Sequence, residues 1–173
     1  MNVSGILFSP NGRIGPNDFW RGIILLVGFM IVSNVVQFVA PVAISQAFNL
    51  VGNLLPYPYL CVYGKRLHDS GRSAWWFLVI LFAFIVVMTM ALMLLPGWDD
   101  IMDAMADPNV VSDQRAMNEL ALEMFSSPRA AIQWYGALFG FNLAAGWIVA
   151  RLPSDPDVNQ YGLPTRNAGA PFT

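Results

Sequence analysis

The sequence predicts an all-α membrane protein built as a bundle of four transmembrane helices. Of its 173 residues 56% are hydrophobic and 12% are charged, whereas soluble domains carry about 25% charged residues. Such a composition cannot cover a compact fold with a water-compatible surface, so the apolar excess needs a bilayer. Four apolar stretches, each about 20 residues long and uncharged apart from Arg21 at the start of the first, can cross about 30 Å of hydrocarbon as helices. They are residues 19–40, 44–63, 74–95 and 130–150.

The first two spans each allow a second interpretation. Small residues at 39–43 resemble a signal-peptide cleavage site, but the apolar stretch exceeds the roughly 7 to 15 residues of a signal peptide and follows a long polar leader. The second span contains Pro56 and Pro58, which remove two amide donors and clash with carbonyls of the preceding turn. We therefore expect a kinked span there, or a re-entrant segment.

The last two spans carry packing and interface signals. The third opens with Trp75 and Trp76, and tryptophan is enriched at membrane interfaces. In the fourth, Gly136, Gly140 and Ala144 recur at four-residue spacing, a pattern that lets helix backbones approach closely in lipid. We expect packing within the chain from this stripe, with a seam between two copies as the alternative.

Amide side chains in the first two spans predict polar contacts between them. If these spans form a hairpin near Pro41, the amides of both lie at similar depth and can bond to each other, each bond contributing about 0.6 to 2 kcal/mol. The alternative is a polar lining for a pore or ligand cavity. The residues concerned are Asn34, Gln37, Gln46, Asn49 and Asn53.

The distribution of basic residues predicts the orientation, because Lys and Arg in short loops stay cytoplasmic. Arg115 and Arg129 lie between the third and fourth spans, whereas seven basic residues lie on the other side. Both tails, residues 1–18 and 151–173, are therefore expected in the cytoplasm. The seven are Arg13, Arg21, Lys65, Arg66, Arg72, Arg151 and Arg166.

The segment 96–129 holds seven acidic and two basic residues and is expected outside the cytoplasm. Ser112 and Asp113 can start a helix. At helical spacing, the residues that follow form an apolar face and an opposite charged face. This amphipathic helix is expected to cap the bundle or to dock on a partner. Its apolar face is Met117, Leu120, Ala121 and Met124, opposite Arg115, Glu119 and Glu123.

The turn from Lys65 to Ser73 is the densest polar cluster in the sequence. One interpretation is structural: Gly71 ends a helix in a left-handed conformation, Ser70 or Ser73 caps the next, and Asp69 pairs with Arg66 or Arg72. The other is that the cations and a helix N-terminus bind a lipid phosphate or another anion at headgroup level. The candidate anion-binding residues are Arg13, Lys65, Arg66, His68, Asp69, Arg72 and Ser73.

Several functions are excluded or disfavoured by composition. One cysteine, Cys61, and one histidine, His68, cannot supply a disulfide framework or a metal site of three or four N/S ligands within the chain. We expect no metal and no cofactor. A net charge of −2 disfavours nucleic acid as a partner, since that partner needs a concentrated basic face.

Three motifs give the chain its resemblance to a bacterial inner-membrane family, domain of unknown function 805. They are Gly12-Arg13-Ile14 leading to Phe19-Trp20, Lys65 to Ser73 followed by Trp75-Trp76, and Asn159 to Gly162. The resemblance implies a small helical inner-membrane protein with all three motifs on the cytoplasmic face, and it brings no activity. The whole chain, 1–173, is then a single membrane domain with a periplasmic amphipathic helix between the third and fourth spans. Two features depart from the family: Pro16 and Asn17 replace usual basic residues, and the acidic segment is long.

Three functions remain open from the sequence. The first is a non-enzymatic module that binds anionic lipid headgroups or membrane proteins, or itself, through the cytoplasmic motifs. The second is a small transporter or channel for a neutral solute, since no span contains a charged residue beyond Arg21 at the start of the first. The third is a lipid-headgroup enzyme with His68 and Asp69 as acid and base, for which no nucleophile is identifiable.

Overall fold

Helices account for the regular structure of the chain. The computed structural model describes residues 2–107, 113, 116, 119–120, 123–124 and 126–165, and this part contains no β-strand. Asn159 and Gly162 form one isolated bridge. The helices are α1 (Val3–Phe8), α2 (Pro16–Val39), α3 (Val42–Gly52), α4 (Pro56–Asp69), α5 (Trp76–Met93), α6 (Trp98–Ala106) and α7 (Pro128–Ala150).

Among the residues that the structure describes, two helices are long and apolar enough to cross a membrane by length and composition, Pro16–Val36 within α2 and the whole of α5. Within these segments 22% and 17% of the residues are buried, so most of the apolar surface faces outward, as it does in a lipid solvent. Pro16 starts α2 because its missing amide hydrogen has no partner in the first helical turn anyway. The all-α prediction is confirmed, and the first and third predicted spans coincide with these helices within a few residues.

The second predicted span is broken rather than continuous. Helix α3 ends at Gly52 and α4 begins at Pro56, and between them the amides of Leu54 and Leu55 bond three residues back, to Val51 and Gly52 at 3.0 and 3.1 Å. Proline at 56 has no amide hydrogen with which to continue α3. The two pieces of 11 and 14 residues are about 16 and 21 Å long, so neither alone crosses the hydrocarbon.

The acidic segment contains one helix that the sequence analysis missed. Helix α6 follows Gly97, whose φ of +84° favours glycine, and carries Asp99 and Asp100 in its first turn, where carboxylates favour the helix dipole. The helix expected from Ser112 lies largely outside the described residues. Of its described members, Asp113 accepts a hydrogen bond from the amide of Ala116 at 3.3 Å.

The chain divides into two compact units, residues up to Ile80 together with those from Ala144, and Leu81–Leu143. In the first unit α1, α2 and α4 pack closely: a Cβ at Gly22 would lie 3.0 Å from both methyl groups of Val62 and 3.1 Å from Ile6. The buried core of this unit includes Ile6, Ile14, Phe19, Ile23, Leu26, Val62, Tyr63, Leu67, Val149 and Ala150. In the second unit Leu95, Met124 and Ala130 form a small cluster.

Candidate functional site

The carboxylate of Asp69, at the end of α4, accepts hydrogen bonds from four side chains. Arg13 Nε and Thr165 Oγ1 lie 3.2 and 3.0 Å from one oxygen, and Arg66 Nη1 and Ser154 Oγ lie 2.5 and 2.6 Å from the other. Asp69 is fully buried and so is Arg66. These residues define the Asp69 cluster, in which one carboxylate sits between two guanidinium groups.

The chain reaches this geometry through a tight helix ending. Gly71 has φ +72°, and the amides of Arg72 and Gly71 bond to the carbonyls of Leu67 and His68 at 2.9 and 3.1 Å, the Schellman arrangement. The expected left-handed Gly71 is therefore confirmed. Ser73 Oγ then accepts a hydrogen bond from the backbone amide of Trp75 at 3.3 Å. This contact lies directly before α5.

The two arginines tie the C-terminal tail to this helix ending. Arg13 donates to the carbonyl oxygens of Asp157 at 2.8 Å and of Asp155. Arg66 donates to the carbonyl oxygens of Ala150 at 2.9 Å and of Leu152. The amide of Asp155 in turn bonds to the carbonyl of Asp69 at 2.7 Å. Arg13 also donates to the carbonyl of Gly162 at 3.4 Å, so the three motifs of the sequence, far apart along the chain, meet in the first unit.

Lys65 fixes the N-terminal helix in the same region. Its ammonium group donates to the carbonyls of Gly5 and Ile6, the latter at 2.6 Å, in the last turn of α1, where a cation is favoured by the helix dipole. Lys65 is fully buried, and burial lowers the pKa of its ammonium group. The buried ammonium group of Lys65 thus caps the C-terminal end of α1.

His68 lies at the edge of the cluster and stacks on Tyr161, with ring centroids 3.7 Å apart and planes 5° from parallel. Its Nδ1 is 3.3 Å from the carbonyl of Gly12, and Asn159 donates to the His68 carbonyl at 3.1 Å. Burial lowers the pKa of His68, while the contact with Gly12 opposes that shift. Burial therefore favours the neutral form of the ring, which packs on Tyr161.

The sequence of this chain matches a known protein family. The sequence profile of a protein family of unknown function, DUF805, matches residues 7–101. The chain belongs to this family. It is also 42% identical over 82 residues to the uncharacterized protein YiiR of Escherichia coli K12 and of Escherichia coli O157:H7, a match that covers 46% of this chain. The chain spans about half the length of these curated relatives, 55%. No solved structure matches it.

The region matched to DUF805 contains Arg13 and the whole turn from Lys65 to Ser73, but it stops before α7 and the tail. In this member of the family the acceptors that Arg66 finds on Ala150, Leu152 and Ser154 therefore lie beyond the matched region. The Asp69 cluster joins the family motif to a segment that the family profile does not describe.

The candidate anion-binding residues of this DUF805 member occupy three different environments. Four of them, Arg13, Lys65, Arg66 and Asp69, are buried, His68 and Ser73 are half-buried, and Arg72 is exposed. Asp69 pairs with Arg66, one of the two alternatives considered, and also with Arg13. Binding of an anion by these residues stays a prediction.

Sequence reasoning missed the partner role of Arg13, Ser154 and Thr165 on the Asp69 carboxylate. A signal for the arginine was present, since Gly12-Arg13 was one of the three motifs shared with the family. The described residues contain no group of three His, Cys, Asp or Glu side chains that could hold a metal ion.

The predicted helix contacts of this DUF805 member are only partly described. Asn34 donates to the carbonyl of Met30 in its own helix at 2.8 Å, and Gln46, Asn49 and Asn53 are exposed. The side chain of Gln37 lies outside the described residues. In α7, Gly136, Gly140 and Ala144 are all exposed, and a Cβ at either glycine would meet no atom within 4 Å. Their partners stay a prediction.

Proposed function

We propose that this protein is a non-enzymatic, multi-pass module of the bacterial inner membrane that binds anionic lipid headgroups at its cytoplasmic face. Its four spans are residues 19–40 in α2, 44–63 in α3 and the first part of α4, 74–95 around α5, and 130–150 in α7, with both termini in the cytoplasm. Helix α7 supports this assignment because its 23 residues measure about 34 Å and carry no charge after Arg129.

The meeting of the three motifs supports a common side for them. The start of α2, the end of α4 and the end of α7 all reach the Asp69 cluster, through Arg13, Arg66 and the carbonyl of Ala150. Helix ends that touch one buried cluster lie on one side of a membrane. The excess of basic residues in the same segments makes that side the cytoplasm under the positive-inside rule.

The observation that carries the proposal is the exposed edge that begins at Arg72. Arg72 is exposed and stands directly after the fixed turn, followed by Trp75 and Trp76, which are 76% and 55% exposed. Indole rings favour the headgroup level, and a cation there contributes about 1 kcal/mol of attraction to anionic lipid. At the end of α7, Arg151 lies 4.2 Å over the ring of Trp147, a second exposed cation beside an indole.

Burial of the other motif cations supports binding at Arg72 in particular. Arg66 and Lys65 are fully buried and donate to protein oxygens. These two side chains therefore stabilise the fold and are not accessible to a ligand. The Asp69 carboxylate already accepts four donors, a geometry that suits a structural counter-ion better than a general base. Binding is therefore favoured over headgroup chemistry.

The transport alternative rests on a different observation, the break between α3 and α4 at residues 53–55. Broken helices form solute sites in known transporter folds. A proteoliposome assay separates the alternatives, since flux of a neutral solute that falls when Asn49 and Asn53 are changed to Leu would favour transport.

The test of headgroup binding is Arg72→Gln in nanodiscs made of zwitterionic and anionic lipid. We expect several-fold less anionic lipid bound to the purified variant in native mass spectrometry, with an unchanged unfolding temperature. The matched control is Arg129→Gln, an exposed arginine at the other end of the proposed topology. Equal retention by both variants contradicts the proposal, and loss of a bound membrane protein in place of lipid would identify a protein partner.

A further inference from the structure

Helix α3 exposes amide side chains on a surface that the proposed topology places in hydrocarbon. The side chains of Gln46 and of Asn53, the residue that directly follows α3, are exposed and make no hydrogen bond to another residue that the structure describes. Between them on the same face lies Asn49, which is also exposed and already has an interaction within the chain. An amide without a partner in lipid costs several kcal/mol.

Asn17, in the first turn of α2, is exposed at the proposed cytoplasmic end, but three side-chain amides further inside the helices have partners within the protein. Asn34 and Asn142 each donate to the carbonyl four residues back in their own helix, at 2.8 Å, and Gln133 donates to the carbonyl of Ala91 at 3.4 Å. Each of these side chains has an acceptor inside the protein. Gln46 and Asn53 therefore stand out as amides whose hydrogen bonds have to come from outside this unit.

The opposite face of α3 is the one that packs on α2. Ser45 is buried and donates to the carbonyls of Val36 and Ala40 at 3.3 and 3.4 Å, and Phe48 stacks on Phe29 with centroids 5.9 Å apart. At 100° per residue, Gln46 and Asn53 lie within about 20° of each other and about 80 to 100° from Ser45. The side-chain amides of Gln46 and Asn53 thus form a polar stripe that points away from α2.

We propose that this stripe is the interface between two copies of the chain in the membrane. Lipid tails offer no hydrogen-bond partner, whereas an amide carries both donors and an acceptor and so complements an identical amide. In a two-fold dimer whose axis is normal to the membrane, α3 meets its own copy at equal depth. Gln46 then faces Gln46 of the second copy, and Asn53 faces Asn53, about two helical turns apart.

The exposed apolar residues around the stripe fit the same occupant. Leu50 is 69% exposed and Leu54 66% exposed, and they flank the amides along one side of the helix. In the same unit α2 exposes Ile24, Ile31 and Val35, with no amide among them. The α2 surface suits lipid, whereas the α3 surface suits a partner helix with matching amides.

This inference rests on the proposed membrane placement of α3, and the experiment separates the two. In a Cys61→Ala background, Leu50→Cys places a reporter on the stripe and keeps both amides, and Val35→Cys is the matched control on α2. In dilute proteoliposomes treated with copper phenanthroline, we expect disulfide dimers from Leu50→Cys several times more often than from Val35→Cys. Adding Gln46→Leu and Asn53→Leu should lower dimer yield roughly tenfold while leaving the unfolding temperature unchanged.

Equal cross-linking of the two reporters, or a yield that the leucine changes leave intact, overturns the dimer. Single-molecule photobleaching that shows monomers in liposomes overturns it as well. An Asn53→Cys variant tests the placement separately, since a membrane-impermeant maleimide should not label it in intact cells. Labelling there overturns the topology together with the dimer, whereas protection without cross-linking overturns the dimer alone.

Discussion

Helices α4 and α5 reverse the usual relation between polarity and burial. Every residue of α4 from Cys61 to Leu67 is buried, including Lys65 and Arg66. Helix α5 is a continuous apolar helix, yet 17% of its residues are buried. In water such an arrangement would be unstable, because apolar surface drives burial and charge resists it. The exposed apolar surface of α5 is therefore typical of a membrane-spanning helix, whereas the charged end of α4 needs protein acceptors.

Burial of charge at the end of α4 is stable only where counter-charges and carbonyls are in place. Arg66 has Asp69, Ser154 and two tail carbonyls, and Lys65 has two carbonyls of α1. The most polar part of the helix is thus the part with the most long-range contacts. Two substitutions and one pH titration test this contrast.

The largest effect is expected from Asp69→Asn. This change leaves Arg13 and Arg66 buried without their counter-ion, and breaking a buried ion pair costs about 3 to 5 kcal/mol. Denaturant unfolding in micelles, followed by tryptophan fluorescence, measures the loss, and protease cleavage after residue 150 should become faster. The control is Asp18→Asn, which breaks the exposed pair with Arg21 and should cost less than about 1 kcal/mol. Equal losses would show that the Asp69 cluster does not stabilise the fold.

An intermediate effect is expected from Gly22→Ala, which tests the packing beneath the cluster. The new methyl group would lie 3.0 Å from both methyl groups of Val62, which is fully buried, and such overpacking costs about 1 to 3 kcal/mol. Gly28→Ala, in the same helix with no atom within 4 Å, should be neutral or stabilise by up to about 1 kcal/mol. The same unfolding assay compares the two, and a stable Gly22→Ala protein would contradict the close approach.

The smallest effect is expected from titrating His68. Burial lowers the pKa of His68 in the folded protein, so the unfolded chain binds more protons near its pKa of about 6.5. The contribution of His68 to the free energy of unfolding is therefore fully present above a pH of about 6.5. It is lost as the pH falls through the lower pKa of the folded protein. Protease cleavage of the tail at pH 8 and pH 5.5 should show slightly faster release in acid. His68→Phe keeps a ring on Tyr161 and should remove the pH dependence, whereas faster release at alkaline pH would refute the sign.

Much of the fold followed from local patterns. Two membrane-length helices, the bend near Pro56 and the left-handed Gly71 depend on composition and on proline and glycine chemistry, which act within a few residues. Helix α6 was within reach by the same means, since Gly97 followed by Asp99 and Asp100 marks a helix start. The four-span count and the membrane side stay predictions.

The sequence by itself determined that this chain has apolar helices long enough to cross a membrane, that its second apolar stretch must bend, and which motif holds its densest cluster of charged residues. Tertiary structure decided that Arg13 joins Asp69 across 56 positions, that the tail supplies the remaining acceptors, and that the amides of α3 face away from α2. The physical reason is that apolar content and backbone restrictions are properties of single residues and short segments. A carbonyl acceptor is the same in every residue, so its choice of partner depends on where the folded chain brings it.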